Sequence, residues 1–397
     1  MSNAIPTCLL CPAPITADND SSEHVLTNAV GGRLKVRGLV CKPCNDRTGH
    51  DWDAILADQL HALCLLVGVD RERGETPPLT VKTTTGQTIR MTAADGMYLP
   101  KPSYEEVLTE TGVQIRLSAR TMAEARRMIE GAKAKYAQID VEASLAQAQH
   151  QWSAPDGYMH HQFVVGGFQA GRSIVKSALV FAIHAGLSRE DCAPAVAFLK
   201  DPADITPPLG WYYATDVLQG RPPQTPVTCV GVHANPHTGL VLGYVEYFGF
   251  HRAVVELGRD YTGPEVRAAY GFDPRTGEEI PLAIALPFDA AELTAIFDDQ
   301  RIPEGSQEAA LREILPQALA RQVESEQERV FGSAVRYALE RTGLKPGDEI
   351  TPEYAQQIAA DVTNYVKPWI AHRLALQRRP APPPPGPWRL DDGTDAG

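Results

Sequence analysis

The sequence predicts an α+β protein in three folded parts, and three observations carry that reading. Two Cys-x-x-Cys pairs, Cys8/Cys11 and Cys41/Cys44, mark a small metal-clamped segment near the start of the chain. Short β-branched and alternating runs fill residues 70–287, mixed with a few helical stretches. From Asp289 onward apolar residues recur at helical spacing, through Phe297 and on to Leu376. The expected parts are residues 1–69, residues 70–287 and residues 288–378. A proline-rich tail over residues 379–397 is expected to be extended or disordered.

Composition narrows the field. A chain of 397 residues is long for one domain. Its seven cysteines are too sparse for a disulfide scaffold, and Cys64, Cys192 and Cys229 read as small buried apolar side chains. No basic stretch followed by an apolar run opens the chain, and no apolar run is long enough to span a bilayer, so a soluble cytoplasmic protein is expected. The net charge of −12 is the wrong sign for a protein that coats nucleic acid, although local fields matter more than the sum. Residues 114–135 hold six Lys/Arg against two Asp/Glu, the best local basic stretch. It is expected either to approach a phosphate backbone or to be a solvated face.

Taken in order, the first cysteine pair forms a knuckle, followed by turn formers from Pro12 to Ser22. A short strand is expected at residues 24–26, a glycine turn at Gly31-Gly32, and a second strand from Leu34 to Val40. The second knuckle leads into a helix from Asn45 to Val67, where Trp52, Ile55, Leu56, Gln59, Leu60 and Leu63 recur at three-four spacing. Residues 80–85 and 88–91 form a hairpin around Gly86, and residues 113–117 another strand. Thr121 and Glu124 make a capping box for a helix reaching Ala137. His160-His161 falls in a strand candidate. Residues 171–185 form a buried helix, with Arg172 and Lys176 read as a solvated face or as phosphate contacts. Strands at residues 227–232 and 240–250 are separated by a turn at residues 235–239. Further strand candidates lie at residues 254–257 and 282–286.

Thiolates are strong zinc ligands, and two such knuckles about thirty residues apart supply a closed tetrahedral Cys₄ set. Structural zinc contributes on the order of 10 kcal/mol of folding free energy to segments too short and polar to hold together otherwise. Between and after the knuckles stand Glu23, His24 and Asn45. Hydrolysis of a phosphodiester needs a base for water and a cation at the leaving oxygen. Histidine suits the base, and carboxylate and amide oxygens suit a hard cation such as Mg²⁺. Adjacent strand residues point to opposite faces, so Glu23 and His24 can converge only at a strand end or loop.

The pattern Cys-x-x-Cys, Glu-His, Gly-Gly, Cys-x-x-Cys-Asn, Gly, Asp over residues 8–53 resembles the zinc-containing HNH endonucleases of the ββα-metal superfamily. The resemblance implies an N-terminal ββα-metal, treble-clef-like module with structural zinc on Cys8, Cys11, Cys41 and Cys44. It implies that His24 activates water and that Glu23 and Asn45 bind one divalent cation, Mg²⁺ or Mn²⁺, with DNA as substrate. Asp53 fills a position this branch often occupies with Asp, as a supporting or cation-linked residue. The chain departs from the pattern in having Glu23 where many members have Asp, and in lacking a proline soon after the histidine. His50, five residues after Asn45, is off the helical face that a further histidine would need. Two other readings remain: a zinc-finger-like binding module that does not cut, and a chain whose residues 70–378 sense a ligand or partner. His160, His161, His233 and His237 are read as chance rather than a second metal site.

Overall fold

The computed structural model describes residues 6–93, 96–98, 102–110, 112–149, 157, 159, 166–201, 203, 205–345 and 347–377. It is mixed α+β with a helical C-terminal part, as the patterning predicts. The chain divides into two compact units, residues 1–101 with 157–325, and residues 102–156 with 326–397. The His160-His161 strand candidate and the proline-rich tail lie outside the described residues. Among the described residues no helix is long and apolar enough to cross a membrane.

In the first unit, β1 (Glu23–His24) pairs antiparallel with β2 (Lys35–Val36), Glu23 opposite Val36 and His24 opposite Lys35. Between them Thr27 caps a single 3₁₀ turn over Asn28–Val30 by accepting from the Ala29 N–H. Gly31 leaves that turn at φ 90°, a left-handed conformation, and a Cβ on Gly32 would overlap the Leu26 carbonyl. The glycine pair is therefore what lets the chain double back beside His24.

Helix α1 (Lys42–Thr48) starts on Cys41, with Pro43 in its first turn, where a missing N–H has no partner to lose. A wider π-type turn over Gly49–Asp53 carries it into α2 (Ala54–Val67), which Gly68 ends in the left-handed region. The helix thus begins earlier than Asn45, and its π turn is invisible to a three-four pattern. Strands β3 (Leu79–Lys82), β4 (Thr88–Thr92) and β5 (Gly96–Tyr98) form a small antiparallel sheet.

The second unit contains the hairpin β6 (Ser103–Thr109) and β7 (Gly112–Ser118), then α3 (Met122–Lys135) and α4 (Val141–Ala146). Thr121 caps α3 as expected, while Glu124 reaches back to the Arg120 N–H. The basic stretch is partly neutralised within this unit: Arg120 pairs with Glu124, Arg126 with Glu142 and Lys135 with Glu106.

The rest of the first unit is built on a six-stranded antiparallel sheet. Its chain order is α5 (Gly167–His184), α6 (Ala193–Lys200), β8 (Leu209–Trp211), β9 (Leu218–Gln219), β10 (Thr228–Asn235), β11 (Leu240–Tyr247), β12 (His251–Gly258), β13 (Val266–Phe272), β14 (Glu279–Ile280), β15 (Ala283–Ile284) and α7 (Ala290–Phe297). The sheet order is β14-β13-β10-β11-β12-β8. One face, with Val230, Val232, Val245 and Val255, shares a core with Ile174 and Ala178 of α5 and with Val25, Leu56 and Leu60 of the N-terminal segment. The other, with Cys229, Leu242, Tyr244 and Val254, packs on Leu293 and Ile296 of α7. Two long helices follow, α8 (Ser306–Thr342) and α9 (Pro352–Gln377), joined by ring contacts Phe331–Trp369 and Tyr337–Tyr365.

Two predictions arise from this packing. Gly32→Ala should lower stability by about 2 kcal/mol or more, because the Leu26 backbone cannot yield to a methyl group without moving the turn. A thermal melt indistinguishable from wild type would contradict it. His251 is buried beside the Phe250 and Trp211 rings, its Nε2 without a hydrogen-bond partner among the described residues, and burial lowers its pKa from 6.5 to about 3. Between those values the unfolded chain takes up a proton that the folded chain refuses, so stability present above pH 6.5 is lost as pH falls, by at most about 1.4 kcal/mol per pH unit. Urea melts of His251→Phe from pH 7 to pH 4 should show a shallower loss than wild type.

Candidate functional site

The two knuckles are tied together by backbone before any metal is considered. Leu9 donates to the Leu39 carbonyl at 2.9 Å and Lys42 to the Asn19 carbonyl at 2.7 Å. The N–H groups of Leu10 and Cys41 both point at Cys8 Sγ, at 3.4 and 3.3 Å. The four sulfurs of Cys8, Cys11, Cys41 and Cys44 lie within 4.8 Å of one another, with Cys11 and Cys41 3.7 Å apart. Four thiolates at ~2.3 Å from one zinc ion stand about 3.8 Å from each other, so this donor set can hold zinc. The described residues include all seven cysteines, and none is in a disulfide. Burial pushes the Cys64 and Cys192 thiols up to about 12, which leaves them inert.

Because the second knuckle opens α1, it fixes Asn45 beside the hairpin. Glu23, His24, Asn45 and Asp53 line one open cavity of about 290 Å³, together with Asn28 and Gly49. Asn45, Gly49, Asp53 and Ala57 step along one side of the α1–α2 helix, the π turn included. Strand β1 ends at His24 and the chain bends at once, so two neighbouring residues border the same space despite strand alternation. His50 is exposed and does not line the cavity.

Each side chain has a distinct setting. Glu23 is 2% exposed; its Oε1 lies 2.8 Å from Lys176 Nζ, and its Oε2 is buried with no hydrogen-bond partner among the described residues. Burial raises the Glu23 carboxyl above its usual range, with Lys176 pulling the other way. Asp53 places Oδ2 2.6 Å from Lys176 Nζ and accepts from Ser173 Oγ at 2.5 Å. Burial works against the Lys176 ammonium, but Asp53 and Glu23 outweigh it and hold its pKa above the ordinary lysine value. His24 Nε2 lies 3.2 Å from Glu72 Oε2, and the same carboxylate pairs with Lys35. Burial lowers the His24 pKa, more than Glu72 raises it, which favours neutral imidazole. The Asn45 amide makes no side-chain hydrogen bond among the described residues, so its oxygen is available to a ligand.

Arg172 and Lys176 are not a solvated face. Both are buried, because α5 lies between the N-terminal segment and the sheet. Arg172 donates to the Phe198 and Ala203 carbonyls and stacks near the Trp52 ring, which removes it from any phosphate role. Glu72 and Ser173 are site neighbours that sequence reasoning missed, and Lys176, read there as a solvated face or a phosphate contact, is instead buried between Glu23 and Asp53. For Lys176 the available signal was a cation inside the largely apolar run from Ile174 to Phe181. His233 bonds the Leu286 backbone and Glu265, and the four-cysteine group is the one potential metal cluster among the described residues.

The family model described as HNH endonuclease matches residues 8–61. No curated protein and no solved structure matches the chain significantly. The match contains both knuckles, Glu23, His24, Asn45 and Asp53, and it stops short of Glu72, Ser173 and Lys176. Residues 8–61 are thus similar to the HNH endonuclease family, with a four-cysteine cluster consistent with the zinc-containing branch.

Proposed function

We propose that this protein is a metal-dependent HNH endonuclease that hydrolyses phosphodiester bonds in DNA. His24 is the general base, Glu23 and Asn45 hold a Mg²⁺ or Mn²⁺ ion, and a structural zinc sits on Cys8, Cys11, Cys41 and Cys44. The observation that carries this reading is the convergence of Glu23, His24 and Asn45 on one cavity beside the clamp. Free thiols and a thiolate clamp suit a reducing compartment, in keeping with a cytoplasmic enzyme.

The residues fit a hard cation. Glu23 Oε2 is a buried oxygen in need of a partner, and the Asn45 amide oxygen is the kind of neutral ligand that Mg²⁺ accepts. When bound, the cation supplies positive charge to the leaving 3′-oxygen. His24 does the proton chemistry. Glu72 is an acceptor, so the proton of neutral His24 sits on Nε2 and leaves Nδ1 as the basic nitrogen for water. Glu72 therefore also fixes the ring's tautomer and orientation. Asp53, engaged by Lys176 and Ser173, supports the site without ligating the ion.

One observation favours the non-catalytic alternative, a zinc-finger-like module binding nucleic acid or protein: the Glu23 charge is already met by Lys176. Plasmid cleavage with Mg²⁺ or Mn²⁺ separates the two. His24→Ala should lower the cleavage rate by ~10²–10⁴ while zinc content and fold stay unchanged. Wild-type cleavage by His24→Ala, or no cleavage by the native chain with either metal, would leave the binding module as the answer. Elemental analysis should find about one zinc per chain, and Cys41→Ser should lose it and become protease-sensitive. A folded, zinc-free chain of normal stability would refute the clamp.

A further inference from the structure

Lys176 reaches the site from α5, well outside the family-matched segment. It is 2% exposed, and its Nζ has three oxygen neighbours: Asp53 Oδ2 at 2.6 Å, Glu23 Oε1 at 2.8 Å and Thr48 Oγ1 at 3.3 Å. A lysine ammonium has three donors, so this one is fully used and has none left for substrate. Lys176 is therefore not a phosphate contact.

We propose that Lys176 is a built-in cation of the site. It fills the point between Glu23 and Asp53 that a divalent ion would otherwise take. In doing so it withholds Asp53 from ligation and confines the exchangeable ion to Glu23 Oε2 and Asn45. The last clause rests on the cation reading above; the occupancy of the point between the carboxylates does not. Two carboxylates and one ammonium leave a single negative charge for the exchangeable ion. Replacing the ammonium with a neutral side chain leaves two negative charges and three inward oxygens, a hard donor set suited to Mg²⁺ or Mn²⁺. A lysine that merely supported the fold would, when removed, weaken the protein without creating a cation site.

The test is Mn²⁺ binding to the zinc-loaded full chain, read from the electron paramagnetic resonance signal of free Mn²⁺. Wild type should bind one ion. Lys176→Met should bind a second ion, or the first roughly tenfold or more tighter, and adding Asp53→Asn should abolish the gain. Lys176→Arg, which keeps the charge, should behave as wild type. Zinc content and circular dichroism monitor the fold. Lys176→Gln offers a neutral hydrogen-bonding side chain if the methionine variant is unstable, and refolding of either variant by Mn²⁺ also supports the proposal. A folded neutral variant whose Mn²⁺ binding is unchanged or weaker overturns the role of Lys176 alone. Neutral variants that Mn²⁺ does not refold count equally against it. Binding gained by the variant but absent in wild type upholds Lys176 and overturns the Glu23–Asn45 ion. Binding in no variant overturns both.

Discussion

An ammonium can leave water only where carboxylates and other acceptors replace its hydration, and Lys176 satisfies that condition with Glu23, Asp53 and Thr48. The consequence is geometrical. Glu23 belongs to the hairpin, Asp53 to the end of the π turn and Lys176 to the middle of α5. One buried cation therefore fixes three elements that no backbone ladder joins. Removing the ammonium would leave two carboxylates facing each other with no countercharge, typically a loss of about 3–5 kcal/mol. The floor of the cavity is thus held by electrostatics, and its rim by the clamp and the glycine turn.

Further bonds extend the same attachment. Gln59 of α2 exchanges two hydrogen bonds with the backbone of Gly166, each 3.0 Å, at the start of α5. Arg189 donates to the Thr7 and Cys8 carbonyls beside the first knuckle. Arg321 and Gln322 of α8 meet the Val67, Leu65 and Leu66 carbonyls that α2 leaves open at its C-terminus. The segment that matches the family model shares one hydrophobic core with α5 and the sheet. It does not hang from the protein as an appendage.

What the sequence discloses here follows the range of the interaction. The knuckles, the glycine pair, Glu23, His24 and Asn45 are close in the chain, so the meeting of Glu23, His24 and Asn45 at one cavity was legible from spacing. The α5 helix and the β10–β11 hairpin announced themselves through apolar runs and the turn at residues 235–239. The central strands are buried on both faces and read as continuous apolar segments, so their order in the sheet had no local sign. The π turn escaped because three-four periodicity tolerates one extra residue. Lys176 escaped for a deeper reason: its partners lie more than a hundred residues away, and a cation on a helix is ordinarily solvated.

The buried lysine also bears on how such a site can be inherited. Residues 8–61 look portable, a compact motif that recombination could move between proteins. Moved without α5, the motif would arrive with Glu23 and Asp53 facing each other and nothing between them. A recipient scaffold would have to supply a positive charge at that point, from a lysine, an arginine or a permanently bound metal. The physical unit of this site is therefore the motif together with a distant helix, and its boundaries are drawn by charge balance rather than by contiguity of sequence.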